Sequence, residues 1–411
     1  MSTKAKSSVL AASFLALLFD GFELGLMPVA SLSVSKSLLG ESFTKELGGA
    51  WFAWFAASLM FGAAIGGIFL GNLGDRIGRA KAMGVCILIY SVFAGLGALA
   101  QTQEQMLLLR FLVGLGVGGL WPNGMALVAE CWPGASKPLV SGVMMAGLNV
   151  GILSLSLLIQ TKPITADSWR WIFLVATIPA VLGLLVLFLL PESPKWLMAK
   201  ANSQFSDSSS KPELRKLFQG DLLRVTLIGI LISCVPMVGA WSASKWMIPW
   251  AESVAGSNAS YKAATQGWWA LGAVLGSLAG AQLCSFLGRK LSYFLISIAA
   301  FAITWSMFQL TKPLEPSFHP VVFVQGLVGT LFFGWLALSL PELFSTQLRA
   351  SGSGLCYNSG RFATAAGVLF AGFILKFLGG DYAKVGAICA TIYAAGTIVI
   401  WFAPDESTQK D

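Results

Sequence analysis

Apolar residues run along this chain in stretches of about twenty, broken by short polar segments. About twenty residues is the length a helix needs to cross a hydrocarbon layer roughly 30 Å thick. Divided this way, the chain predicts twelve spans. Six fall at 9–34, 49–71, 83–101, 107–131, 138–160 and 170–190, and six more at 224–251, 266–287, 291–311, 318–341, 352–377 and 382–403. The roughly ten-residue alternating segments of a membrane β-barrel are not visible in the sequence, so the fold class is an all-α membrane protein. The first span does not read as a cleaved signal segment, because its apolar core runs straight into Asp20 and Glu23 with no small-residue cleavage site after it. One long polar segment interrupts the pattern, 199–222 (AKANSQFSDSSSKPELRKLFQGDL), which is Ser-rich and carries Pro212. It reads as a cytoplasmic linker between an N-terminal six-helix bundle, 1–198, and a C-terminal one, 223–411.

Composition agrees with the pattern. Hydrophobic residues make up 56% of the 411 and charged residues 11%, with a mean hydropathy of +0.74. A soluble domain carries about 25% charged residues. The net charge of +8 comes from Lys and Arg gathered at one end of the spans: 16 on the side of both termini, 8 on the other side and 3 inside spans. Positive charge collects on the cytoplasmic side, which places both termini there, in a cell membrane and, from the compactness of the chain, a bacterial inner one. No basic face with interleaved aromatics appears, so the charge does not point to nucleic acid. The six cysteines stand singly, without disulfide or metal spacing, and no cofactor is implied.

The two halves repeat each other. Gly78 and Arg79 recur as Gly288 and Arg289, an offset of 210. Glu130, seven residues before Lys137, recurs as Glu342, seven before Arg349, and Gly114 recurs as Gly326; these offsets are 212. Asn149 in LNVG recurs as Asn358 in YNSG, an offset of 209. Two related six-helix halves imply a site at their interface near the membrane midplane, reached from each side in turn. With both halves in one chain, a monomer suffices.

These motifs resemble the major facilitator superfamily over essentially the whole chain. GNLGDRIGR (71–79) is similar to its loop signature, and RFLVGLG (110–116) to its span-four pattern. PESPKWL (191–197) is shared with sugar porters and organic-anion transporters. DGFE (20–23), GLGVGGLWPNGMALVAECWP (114–133), SWRW (168–171) and PELFSTQLRASGSGLCYNSGR (341–361) together most resemble the aromatic-acid and related organic-acid proton symporters. Three departures stand out. Ser285 sits where the second loop signature would carry Asp, Glu23 replaces a second Asp, and GVMMAGLNVG lacks the glycine–proline signature of drug–proton antiporters.

Charges inside spans are costly and mark function. Asp20 and Glu23, at i and i+3, are expected to share one helix face toward a central cavity. Two carboxylates that close disfavour double ionisation, so they suit a proton-coupling site. A structural ion pair between helices is the other reading. Arg361, at a depth similar to Asp20, either holds a substrate carboxylate through its planar fork or bridges to an acid. Lys245 is a second substrate cation or snorkels outward. Trp241, Trp246 and Trp250 around it read as an interfacial belt or a substrate wall. Asn123, Asn149, Tyr357 and Asn358 are polar groups in spans, and the resemblance makes Asn123 and Asn358 cavity-lining.

At the cytoplasmic end, Asp75 is expected against the N-terminus of the eleventh span, with Arg76, Arg79, Glu130 and Lys137 pairing nearby as a gate. Arg289, Glu342 and Arg349 would be the second half's version. Arg110 reads as a structural or relay group, and His319, the only histidine, as a surface residue. The leading function is therefore proton-coupled symport of a small organic anion. A sugar or polyol carrier is weakened because the seventh span lacks paired glutamines. A transporter-like receptor that never completes the cycle stays open. A membrane enzyme is disfavoured, since no nucleophile–base set or nucleotide loop appears, and the GLGVGG run reads as helix packing.

Overall fold

The structure, a computed structural model, describes residues 1–132, 136–203, 214–256, 258–344 and 348–404; the side chains of Lys137 and Arg349 and residues 204–213 of the expected linker lie outside the described residues. Among the described residues twelve helices are long and apolar enough to cross a membrane. In order they are Thr3–Ser42, Lys45–Ile77, Arg79–Leu99, Gln103–Cys131, Pro138–Thr161, Arg170–Leu189, Leu222–Ala255, Tyr261–Leu287, Arg289–Leu310, Phe318–Leu343, Ser351–Phe377 and Tyr382–Phe402. Among the described residues there is no strand. Several helices extend past the apolar stretches because their polar ends supply caps. The side chains of Ser2, Thr44, Thr102 and Asp381 accept backbone N–H groups at the starts of spans one, two, four and twelve.

Close packing follows from glycine. A methyl group on Gly66 of span two would strike the Leu115 carbonyl, and one on Gly118 of span four the Ala63 carbonyl. The second half repeats this: Gly276 lies on the Leu327 carbonyl and Gly326 on that of Trp269. Spans two and four, and eight and ten, thus meet backbone to backbone, as small residues allow in membranes. The GLGVGG run is part of this packing surface. Spans two and eight also end alike, at Gly78 (φ 106°) and Gly288 (φ 78°), a conformation that glycine adopts without steric cost.

Between the halves, span five packs on span eight and span two on span eleven. One apolar core joins the N-terminal half to the far end of the C-terminal half, including Phe52, Trp246, Trp250, Phe308, Phe318 and Tyr382. A second core fills the basic end of the C-terminal half, around Tyr293, Phe332 and Trp335. Span seven is irregular. Its first helix ends at Val238, a π-helical turn follows at Gly239–Ala243 and a 3₁₀ turn at Ser244–Trp246, and Met247–Ala255 resumes the α-helix. Span six is likewise broken between Arg170–Val175 and Pro179–Leu189.

Candidate functional site

A cavity of about 100 Å³ lies between the halves, and spans one, two, four, five, seven, eight, ten and eleven all contribute to its wall. Its ionisable residues are Asp20, Lys245, Tyr357 and Arg361, with Asn149, Thr330 and Thr364 as neutral polar groups. Met60, Val117, Ile152, Trp241 and Trp269 are among its apolar lining.

Arg361 reaches from span eleven into the other half. Its Nη1 donates to the carbonyls of Ala63 (3.0 Å) and Gly118 (3.2 Å) and to Asn358 Oδ1 (3.3 Å). The bare glycine at 118 leaves that carbonyl reachable. The guanidinium lies 5.2 Å from the Tyr357 ring, which stacks on Trp121 at 4.9 Å and 4°. Trp121 belongs to the first half and Tyr357 to the second, so this stack crosses between them. It sits on the basic-end side of Arg361, four residues earlier in span eleven, or about 6 Å at 1.5 Å per residue.

Lys245 is 3% exposed, so outward snorkelling is overturned. Its Nζ lies 3.3 Å from the centroid of the Trp269 ring and has no hydrogen-bond partner. The π turn just before it alters the helical register and brings residue 245 to the cavity wall. Trp269 is held in turn: its Nε1 donates to Gln325 (2.7 Å), whose amide donates to Ser244 (2.5 Å) and Thr304 (3.2 Å). Neither Trp269 nor Gln325 stands out along the chain. The one available signal was that Gln325 is an uncharged polar residue beside the repeated Gly326.

Several expectations need correction. Asp20 and Glu23 do not share the cavity. Asp20 lines it, while Glu23 lies inside the first half, 3.3 Å from Arg110. Residues three apart differ by about 60° around a helix, enough here to separate wall from interior. Asp20 and Arg361 line the same space, yet among the described residues they form no ion pair, and Asp20 Oδ1 is buried without a hydrogen-bond partner. Asn123 is buried away from the lining; its amide donates to the carbonyls of Leu70 (2.9 Å) and Gly119 (2.8 Å), tying span four to span two. Asn358 is also off the wall and orients Arg361. Asn149 lines the cavity and donates to Ser277 across the halves at 2.8 Å.

Trp241 lines the cavity, but Trp246 and Trp250 are buried in the core, Trp246 against Phe52 and Trp250 against Phe308, so they form no interfacial belt. His319 is partly buried, stacked on Tyr261 at 4.8 Å and 3.2 Å from the Thr265 hydroxyl, rather than a free surface residue.

At the basic end, Asp75 pairs with Arg79 (2.6 Å) and among the described residues makes no ion pair or hydrogen bond to span eleven, and Arg79 reaches Glu130 at 3.8 Å; Arg76 is exposed. Arg289 and Glu342, 3.8 Å apart, are the second half's counterpart. Each of these pairs lies within its own half. The PES motif joins the first: Glu192 accepts from the backbone N–H of Arg79 (2.8 Å) at the start of span three, and the Ser193 hydroxyl donates to Glu130. At the opposite end a clasp crosses between the halves. Lys262 and Glu252, 2.5 Å apart, both bond Ser33 of span one, at 2.8 and 3.2 Å. None of these three was singled out in the sequence.

The comparisons with known proteins fit this architecture. A sequence profile of the Major Facilitator Superfamily matches residues 9–265. This chain belongs to that superfamily. It is a major facilitator transporter rather than an enzyme, and it is similar to organic-acid carriers. It is 30% identical over 393 residues to the cis,cis-muconate transport protein of Acinetobacter baylyi, covering 93% of this chain and 92% of the relative. To the gentisate transporter of Corynebacterium glutamicum it is 27% identical over 364 residues, covering 88% and 79%. The crystal structure of a D-xylose–proton symporter superimposes with a TM-score of 0.72 over 98% of this major facilitator and 99% of that chain; at 16% identity the likeness carries the fold alone.

Proposed function

We propose that this protein is a proton-coupled symporter of a small organic anion, working by alternating access between its two halves. The observation that carries the reading is the pairing of two cations, Arg361 and Lys245, with one acid, Asp20, on a single cavity wall. An incoming carboxylate meets positive charge from spans seven and eleven of the C-terminal bundle, and Asp20 of span one supplies an oxygen that can take up a proton. Two relatives are named for muconate and gentisate, and both compounds are carboxylates. In this reading the clasp at Ser33, Glu252 and Lys262 and the Trp121–Tyr357 stack act as the two barriers of the cycle, with the Arg79 and Arg289 clusters steadying each half's basic end. The charge pattern supports cytoplasmic termini in a bacterial inner membrane, and the complete pair of halves supports a working monomer.

The test is substrate-induced pH change in proteoliposomes, with aromatic and aliphatic carboxylates beside neutral sugars. Alkalinisation outside on adding a carboxylate, lost in Asp20→Asn and in Arg361→Lys, is the expected result. Transport of a sugar, or of an acid without proton movement, would overturn the coupling assignment.

A further inference from the structure

The wall holds more positive charge than its one acid balances. The other buried acid in the first half, Glu23, is bound to Arg110, and Glu252, seven residues beyond Lys245, is bound to Lys262. Asp20 therefore faces two cations. Lys245 is held rigidly, through the Trp269–Gln325–Ser244 links, and its ammonium has an aromatic face on one side and no acceptor. A buried charge in that condition is costly unless an anion joins it. Arg361 is anchored through Nη1 to two backbone carbonyls and Asn358, which fixes the guanidinium plane. A carboxylate is the natural complement of such a fixed plane.

We propose that the cavity is built for a small dicarboxylate, with one carboxylate on Arg361 and the other on Lys245. The proposal rests on the organic-anion reading and sharpens it. With a proton on Asp20 the wall carries two positive charges. A dianion neutralises both, whereas a monoanion leaves one uncompensated in a membrane interior, which is costly. The carbon skeleton lies against Met60, Val117, Ile152 and Trp241, an apolar lining that suits an unsubstituted chain better than a polyol.

The test is equilibrium binding to the purified full-length protein, followed by tryptophan fluorescence. The probes are cis,cis- and trans,trans-muconate, set against sorbate, which has the same six-carbon conjugated chain with a methyl group in place of one carboxylate. A muconate is expected to bind at least about tenfold more tightly than sorbate. Lys245→Gln is expected to bring that ratio close to one, and Lys245→Arg, which keeps the cation and controls for folding, to preserve it. Equal binding of diacid and monoacid by the unaltered protein, or an unchanged ratio in Lys245→Gln, would overturn the dicarboxylate assignment while leaving organic-anion binding intact. If neither acid binds and xylose does, the organic-anion reading itself has failed.

Discussion

The buried pair Glu23–Arg110 ties span one to span four inside the first half. The side chains are 1% and 0% exposed and meet at 3.3 Å. Glu23 Oε1 and Arg110 Nε and Nη2 have no further partners, and the guanidinium lies 5.3 Å from the Phe173 ring. Removing either partner alone strands a buried charge, a loss of about 3–5 kcal/mol. Replacing both with apolar residues of similar length removes the two desolvation penalties together with the attraction. The double variant Glu23→Met with Arg110→Met is therefore expected within about 2 kcal/mol of the parent, although each single variant falls well below it. Denaturant unfolding in detergent, read by tryptophan fluorescence, measures all four forms. Because Asp20 is untouched, the double variant is also expected to keep proton-coupled uptake in vesicles. Single and double variants that lose stability additively would refute the pairing. A folded double variant that binds substrate but moves no protons would put Glu23 back in the proton path.

Other consequences are as direct. Ser33→Ala removes two hydrogen bonds across the halves while Lys262 and Glu252 keep each other, a net loss of about 1–1.5 kcal/mol or roughly tenfold. Maleimide labelling of a cysteine placed at Leu375, which is buried where span eleven meets Gly49, is expected to speed up about tenfold, and an unchanged rate would remove the clasp from gating. Gly118→Val drives a side chain into the Ala63 carbonyl and disturbs an Arg361 anchor; a loss of about 1–3 kcal/mol or more is expected in thermal melts. Gly280→Val, which meets the Leu331 backbone where spans eight and ten pack, away from the cavity lining, is expected to cost stability with less loss of carboxylate binding in the protein that folds. Asp20→Asn is expected to retain substrate exchange between equal pools and to lose accumulation driven by a pH gradient, as counterflow and uptake assays compare.

The twelve spans and their pairing into halves were legible because length, charge placement and a repeat offset are properties of the chain as written. The cavity was legible only in part. Asp20, Asn149, Lys245, Tyr357 and Arg361 reach its wall, since intramembrane polar residues tend to face an interior space. Glu23, Asn123 and Asn358 obeyed the same rule but faced other helices, where a backbone carbonyl or an arginine satisfies them equally well. Nothing in a single span tells those two interiors apart. Trp246 and Trp250 misled for a related reason, because an aromatic near a predicted span end reads as interfacial until the neighbouring helix that buries it is known. The clasp was illegible because Ser33 lies more than 200 residues from Glu252 and Lys262, and each of the three looks ordinary alone.

The break in span seven leaves a mark that a mutational survey would record. A π turn holds more residues per turn than the α-helix and the 3₁₀ turn after it holds fewer, so side chains beyond the two are aimed differently from those of an unbroken helix. Sensitivity to substitution along this segment should therefore rise and fall in two wave trains, one up to Val238 and one from Met247, with a phase slip between them. Shortening the 239–243 stretch by a single residue would shift that slip, and in doing so would swing Lys245 away from Trp269 without altering the identity of either residue.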